Sequence, residues 1–413
     1  MNLQLTSVAE NLHGTVSITG SKSESNRWLI LQQLYNNCTL QNCSNADDTQ
    51  YLQEALKSTE PVIDIGHAGT AMRFLTAFFA TQEGKTVVLT GSKRMQERPI
   101  KILVDALLSL GASITYENKI GFPPLRIEGK KITKNKVAIQ GDVSSQYLSA
   151  LLLVAPSLPN GLELELQGEI TSVPYLKMTV ALLQRIGVSA SFEGNSIQVL
   201  PQEKIQHQSV VIESDWSAAS YYYSLVALSP IGTQIRLQSF YKDSLQADAC
   251  LQTIYKKLGV DTQFIEQTLM LTKTEACTLA VQKNGLTLHL ADAPDSAQTI
   301  AVTCFGLQIP CLLTGLHTLK IKETDRLLAL QTELTKLGAV VTITNESLQI
   351  EAATKINENI QIGTYQDHRM AMAFTPLVLK APLVILEAAV VSKSYPDFWK
   401  DMQRVGIQFE ELK

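Results

Sequence analysis

The chain has 413 residues, 45% of them hydrophobic and 18% charged, which is material for two or three domains and a substantial core. Its formal net charge of −4 excludes a general nucleic-acid or polyanion binder, which would show a basic excess. Any anion site must be a local cluster of cations.

The segment Met1-Asn2-Leu3-Gln4-Leu5 has no basic stretch leading into an apolar one, and the most apolar run, Leu148 to Pro156, is too short to span a bilayer. A soluble cytoplasmic protein with no membrane partner is expected. The first informative element is Gly20-Ser21-Lys22-Ser23-Glu24-Ser25-Asn26-Arg27, followed by apolar Trp28-Leu29-Ile30-Leu31. It predicts a helix capped by Ser23 or Ser25, with two cations at its start. Gly66-His67-Ala68-Gly69-Thr70-Ala71-Met72-Arg73 predicts a second helix, with Thr70 as its cap and glycines that let a backbone approach a ligand. Arg94-Met95-Gln96-Glu97-Arg98-Pro99 places a proline in a helical first turn. Gly141-Asp142-Val143-Ser144-Ser145-Gln146 and Ser172-Val173-Pro174-Tyr175 follow.

Asp215-Trp216-Ser217 opens a fresh apolar helix near the midpoint, where a crossing between domains is expected. Tyr221-Tyr222-Tyr223 within it reads as helix packing. Four polar clusters then lead into apolar helices: Asp292-Ala293-Pro294-Asp295-Ser296, Lys322-Glu323-Thr324-Asp325-Arg326, Asp367-His368-Arg369 and Lys393-Ser394-Tyr395-Pro396. Apolar helices over Ala71–Ala80, Gln146–Ala155 and Ala297–Leu307 are expected to lie buried between mixed sheets, an α/β arrangement.

One pattern repeats. An amphipathic run closes on glycine and gives way to a strand at Leu103–Gly111, Val180–Gly187, Leu251–Gly259, Leu330–Gly338 and Phe398–Gly406. Each reads as a helix ended by a left-handed glycine. A sixth copy, Tyr51 to Ser58, lacks the glycine. At roughly 70–80 residues apart the copies are small α/β units, too widely spaced for a solenoid. The six cysteines, at 38, 43, 250, 277, 304 and 311, form no C-x-x-C and read as idle thiols; no metal site is expected. No Walker A loop, nucleophile elbow or dinucleotide fingerprint occurs.

Any single cluster reads equally as an ordinary cap beside a solvated cation. Their recurrence argues otherwise, because cations at a helix N-terminus oppose the macrodipole. Lys22, Arg27, Arg98, Lys322, Arg326, Arg369 and Lys393 together suit more than one phosphate and carboxylate. Asp295 and Glu323 stand among them, as acid or base groups or as salt-bridge partners.

In this order, G-S-K-S-E-S-N-R, G-H-A-G-T-A-M-R, R-M-Q-E-R-P-I, G-D-V-S-S-Q, K-E-T-D-R, D-H-R-M-A-M and K-S-Y-P resemble the EPSP synthase family of enolpyruvyl transferases over nearly the full length. The resemblance implies two similar domains, residues 20–213 and residues 1–19 with 214–413, each of three βαβαββ-type units with buried helices, an inside-out α/β barrel. It implies transfer of enolpyruvyl from phosphoenolpyruvate to the 5-hydroxyl of shikimate 3-phosphate, on the route to aromatic amino acids, by a monomer without metal or organic cofactor. By motif, Lys22, Ser23, Arg27, Ser144, Ser145, Gln146, Ser172, Tyr175, Asp295 and Lys322 would hold shikimate 3-phosphate. Lys22, Gly69, Arg98, Gln146, Arg326, His368, Arg369 and Lys393 would hold phosphoenolpyruvate. Asp295 would accept the hydroxyl proton, Glu323 would exchange a proton with the methylene carbon, and Lys22 would stabilise charge. The two domains would close over both substrates. The chain departs from the family at His67 (usually Asn), Phe74 (often Pro), Val173 (commonly Lys) and Thr318 (often Asn), beside the expected phosphoenolpyruvate pocket and therefore beside the site of the inhibitor glyphosate. The related UDP-N-acetylglucosamine enzymes carry a loop cysteine with no counterpart here, and a non-catalytic relative would have lost Asp295, Glu323 or Lys22.

Overall fold

The computed structural model describes residues 1–8, 12–352 and 354–412. The chain forms two compact units, one of Gly20–Ile212 and one of Met1–Thr19 with Glu213–Lys413.

In the unit Gly20–Ile212 the helices are α1 (Lys22–Tyr35), α2 (Asp47–Lys57), α3 (Gly69–Ala80), α4 (Lys101–Leu110), α5 (Ser145–Val154) and α6 (Val173–Arg185). Strands Val62–Asp64, Thr86–Thr90, Leu125–Glu128 and Ser113–Tyr116 lie side by side in that order. The first pair is parallel and the other two are antiparallel. The register sets Ile63 beside Leu89, Leu89 beside Leu125 and Ile127 beside Ile114, all buried, so one face of the sheet is apolar. Strands Lys136–Gln140, Leu162–Gln167, Ser196–Val199 and Ala190–Glu193 repeat the plan. The third sheet is smaller: Gln208–Val211 pairs in parallel with Cys38–Gln41 and carries no hairpin.

That difference follows from the sequence. The five glycines that close the repeated helices, Gly111, Gly187, Gly259, Gly338 and Gly406, all have φ between 82° and 109°. Nothing stands within 4 Å of a Cβ placed on Gly111 or Gly187, so there the backbone conformation alone calls for glycine. The first four of these turns deliver the chain into a hairpin strand, and the turn at Gly406 delivers it into Ile407–Leu412, which pairs with Asn2–Val8. At the glycine-free copy, α2 ends on Ser58 with ψ 138°, an extended exit that runs straight to Val62–Asp64 of the next sheet.

The other unit contains α7 (Trp216–Leu228), α8 (Leu251–Lys257), α9 (Leu279–Asn284), α10 (Ala297–Gly306), α11 (Arg326–Lys336), α12 (His368–Phe374) and α13 (Phe398–Arg404). Its three four-stranded sheets follow the same order, and in one of them the N-terminal strand Asn2–Val8 stands between Leu383–Ile385 and Ile407–Leu412. Asp215 caps α7 by accepting from the Ala218 N–H at 3.1 Å. Glu213 is anchored here: its buried carboxylate accepts from Trp216 Nε1, the Tyr241 N–H, Ser244 and Gln246.

Every residue of α3 and α10 is buried, as is all of α7 except Ser217. Apart from Arg73, Gln298 and several hydroxyls, these helices carry apolar side chains all round, which suits a position enclosed by other elements. α3 packs on α5 in one unit and α10 on α7 and α12 in the other. Among the described residues the strands form six separate sheets, with no closed barrel. Among the described residues no helix is long and apolar enough to cross a membrane.

Candidate active site

The polar clusters sit at helix starts in both units. In Gly20–Ile212, α1 begins at Lys22, one turn earlier than a Ser25 cap would allow. Ser21 caps it, accepting from the Glu24 N–H at 3.4 Å. Ser25 instead accepts from the Ser44 N–H at 2.9 Å. Lys22 Nζ lies 3.8 Å from Asp48 Oδ2, and Ser23 is half-buried within the helix.

Arg27 is drawn inward. Its Nε donates to Thr179 Oγ1 (2.8 Å), Nη1 to the Ser23 carbonyl (2.8 Å), and Nη2 to Ser149 Oγ (2.9 Å) and the Tyr175 carbonyl (3.4 Å). Its guanidinium lies 5.6 Å from the ring centre of Phe74. Burial lowers its pKa to about 10, so it stays charged at neutral pH. Arg27 therefore ties α1 to α5 and α6, and most of its donors are spent on the framework. Phe74 acts here as the floor beneath that cation.

At the cap positions of α3, α5 and α6, Ala68, Ser144 and Ser172, no side chain accepts from the first N–H groups. Such groups are ready donors for an anion. Thr70 does not cap α3; it is the second helical residue and accepts from Gln146 Nε2 at 3.1 Å, joining the starts of α3 and α5. Ser144 is exposed and Ser145 half-buried at the start of α5. Ser172 is buried with φ 55°, a left-handed conformation rare for serine, and Tyr175 lies in the first turn of α6 after Val173. A Cβ on Gly69 would stand 2.5 Å from Arg98 Nη1 and 3.0 Å from its Cζ, so only glycine lets that guanidinium lie over the start of α3. His67 packs edge-on against Tyr51 at 5.6 Å, with Nε2 3.8 Å from Asp47.

In the unit Glu213–Lys413 the cluster is denser. Arg326, 2% exposed, donates through Nε to Asp367 (2.6 Å), through Nη1 to Asp295 (2.8 Å) and through Nη2 to Glu323 (2.7 Å). Arg369 donates through Nη2 to Asp295 Oδ2 (3.3 Å) and Ser217 Oγ (3.2 Å), and through Nη1 to the Asp295 carbonyl (3.1 Å). Lys322 Nζ lies 3.4 Å from Asp295. Burial alone would push the Asp295 carboxyl up, but Lys322, Arg369 and Arg326 outweigh it and hold the group well below the usual carboxylate range. Asp367 caps α12 by accepting from the Arg369 N–H at 2.9 Å, and buried His368 has Nδ1 4.0 Å from it. Lys393 Nζ donates to the Gln366 carbonyl at 2.8 Å. Thr318 has its hydroxyl oxygen buried with no hydrogen-bond partner among the described residues.

One residue beyond the sequence reading completes this cluster. Asp248, 4% exposed, accepts from Ser217 and, at 3.0 Å, from Ser296. Burial pushes its carboxyl up, against Arg369 and the two hydroxyls. Through Ser217 and Ser296 it braces both Arg369 and the Asp295 turn. The segment Gln246-Ala247-Asp248-Ala249-Cys250 carries no motif that would have flagged it.

Residues 52–402 match the family model described as EPSP synthase (3-phosphoshikimate 1-carboxyvinyltransferase). A 3-phosphoshikimate 1-carboxyvinyltransferase of Bacteroides fragilis (strain YCH46) is 43% identical over 406 residues, covering 97% of each chain. That of Haemophilus influenzae (strain Rd) is 34% identical over 438 aligned positions, covering 96% of this chain and 97% of its own. The solved EPSP synthase of Acinetobacter baumannii superposes with a TM-score of 0.81 at 20% identity over 99% of both chains. The enolpyruvyl transferase NikO of Streptomyces tendae superposes at 0.72 and 12% identity, over 99% of this chain and 98% of its own. These two likenesses concern the fold.

Proposed function

The chain belongs to the EPSP synthase family, and we propose how its own residues divide that family's reaction. Enolpyruvyl passes from phosphoenolpyruvate to the 5-hydroxyl of shikimate 3-phosphate, and inorganic phosphate leaves, a step of aromatic amino acid synthesis. The observation that carries the division of roles is the Asp295 carboxylate, shared by Lys322, Arg326 and Arg369 with Glu323 on the same Arg326.

Asp295 takes the 5-hydroxyl proton as the oxygen attacks C2 of phosphoenolpyruvate. Glu323 delivers a proton to the methylene carbon, giving a tetrahedral adduct. It then removes one from the resulting methyl group as the bond to phosphate breaks. Lys22 neutralises charge developing near the new bond. An unactivated hydroxyl needs such a base within hydrogen-bond reach. Lys22, Ser23, Arg27, Ser144, Ser145, Gln146, Ser172, Tyr175, Asp295 and Lys322 receive shikimate 3-phosphate. Gly69, Arg98, Gln146, Arg326, His368, Arg369 and Lys393, with Lys22, receive phosphoenolpyruvate. The uncapped starts of α3, α5 and α6 support this allocation, since both substrates are polyanions. The protein is taken to act as a cytoplasmic monomer, with no nucleic-acid or membrane partner.

Phosphate release from phosphoenolpyruvate tests the reaction, with shikimate 3-phosphate in one arm and UDP-N-acetylglucosamine in the other. Release in the first arm alone is expected. Release only in the second, or in neither, overturns the reading.

A further inference from the structure

Arg73 is a buried cation that this division of roles leaves unused. It lies within α3, 4% exposed, and brings a guanidinium into the core of Gly20–Ile212. Nη1 donates to the Gly69 carbonyl at 3.0 Å and lies 3.8 Å from Met95 Sδ, while Nη2 donates to the Pro99 carbonyl at 3.1 Å. The Tyr147 hydroxyl donates to the same Pro99 carbonyl at 2.6 Å, and the Tyr147 ring centre lies 5.9 Å from the guanidinium. Arg73 Nε is buried without a hydrogen-bond partner among the described residues.

No carboxylate among the described residues pairs with Arg73 or Arg98. Burying a charge without a counter-ion is costly, so stability alone does not account for an arginine here. Burial first, and Arg98 second, lower its pKa to about 10, which leaves it charged at neutral pH.

Its contacts bracket a single residue. Gly69 is the glycine over which the Arg98 guanidinium lies, and Pro99 follows Arg98 in the chain. Arg73 ties the carbonyl of one to the carbonyl of the other, and Tyr147 holds the second from the start of α5. We infer that Arg73, supported by Tyr147, is a positioning residue that fixes Arg98 over the N-terminus of α3 and adds a second positive charge behind an anionic group of the donor substrate. The inference rests on the reading that Arg98 meets phosphoenolpyruvate. Two guanidinium groups beside the positive end of a helix repel one another, and a phosphate or carboxylate relieves all three at once.

Steady-state kinetics on the full chain separate this from a purely structural role. Arg98→Ala, Arg73→Met, Arg73→Lys, Tyr147→Phe and the double variant Arg73→Met/Arg98→Ala are compared with both substrates varied. Losing a charge-assisted contact and its geometry, Arg73→Met raises KM for phosphoenolpyruvate by about 10–100-fold and leaves KM for shikimate 3-phosphate within about twofold. Arg73→Lys keeps the charge but not the fork, and falls between wild type and Arg73→Met. The double variant is no more than about threefold worse than Arg98→Ala, because the two residues act as one. Equal changes in both KM values, or independent multiplying effects in the double variant, overturn the inference. Arg98→Ala with an unchanged KM for phosphoenolpyruvate overturns the underlying reading as well. Should Arg73→Met fail to fold, Tyr147→Phe decides: a rise of a few fold confined to phosphoenolpyruvate supports the inference, and no rise overturns it.

Discussion

Arg326 holds three carboxylates at once, and replacing it with methionine exposes what that arrangement contributes. The substitution keeps an unbranched side chain of similar reach in a site that is 2% exposed, and removes four hydrogen bonds, one each to Asp295 and Glu323 and two to Asp367. Asp295 still has Lys322 and Arg369. Asp367, fully buried, keeps the Arg369 N–H and the neighbouring His368. Removing one partner of a buried ion pair costs about 3–5 kcal/mol. Trp28 lies in the other unit, so in a Trp28→Phe background fluorescence reports Trp216 and Trp399 in the affected unit. With m of roughly 2 kcal/mol per molar urea, the unfolding midpoint falls by about 1.5–2.5 M at pH 7. The pH dependence has a definite sign. Asp295 has a depressed pKa in the folded protein, so its stabilisation is present above the unfolded value of about 3.9 and is lost as pH falls below it. Without Arg326 the carboxylates shift upward and acid relieves their repulsion. The gap between the two proteins therefore narrows from pH 7 to pH 4. A midpoint shift below about 0.5 M, or one equal at both pH values, would refute the reasoning.

Three further outcomes are expected. Asp295→Asn and Glu323→Gln each lower kcat by at least about 100-fold, as removal of a general acid or base does; since Asp295→Asn also releases cations, KM should not rise, and near-normal turnover in both would reject the assigned roles. Gly69→Ala, at a φ that alanine accepts, displaces the Arg98 guanidinium rather than the backbone, so KM for phosphoenolpyruvate rises about tenfold with the urea midpoint little changed; an unchanged KM counts against Arg98 as a ligand. Lys273, 3% exposed and bonded to the Leu258 and Ala276 carbonyls, has its pKa lowered by burial to about 8. Below that value folded and unfolded chains are both protonated and the full penalty applies. As pH rises from about 8 towards 10.5 the folded form alone loses the proton, and stability gains up to roughly 3 kcal/mol from this group. Lys273→Met should flatten that part of the urea midpoint against pH, and an unchanged slope would reject it.

The repeat was legible because its signal is local. A glycine closing a helix must adopt positive φ, and Gly111 and Gly187 need no neighbour to explain them. The incomplete sixth unit is legible for the same reason, since Ser58 stands where that glycine is missing. Caps were harder. Three serines flank the start of α1, and which one caps depends on where the chain turns, so Ser21 displaced Ser23 and Ser25. Thr70 was misplaced by two positions because α3 starts at Gly69, beneath Arg98. Partners distant in sequence were not legible at all. Arg27 finds Ser149 and Thr179 from 122 and 152 positions away, and Asp248 receives Ser296 from 48. A motif shows which charges the chain carries, but the acceptors come from the tertiary fold.

The two units hold their buried arginines in opposite ways. In Gly20–Ile212, Arg27 and Arg73 are buried on neutral oxygens, and burial lowers both. An anion arriving there displaces no carboxylate from either. In the other unit Lys322, Arg326 and Arg369 face the carboxyl groups of Asp295, Glu323 and Asp367. There an incoming phosphate or carboxylate must compete with the protein's own acids for the same donors. That competition bears on the chemistry proposed for Asp295. While three cations hold its carboxylate it is ionised but weakly basic. Each cation that turns towards a bound substrate raises its affinity for a proton. Under that proposal, substrate binding and activation of the base are one electrostatic event, because a bound anion draws off the cations that depress Asp295.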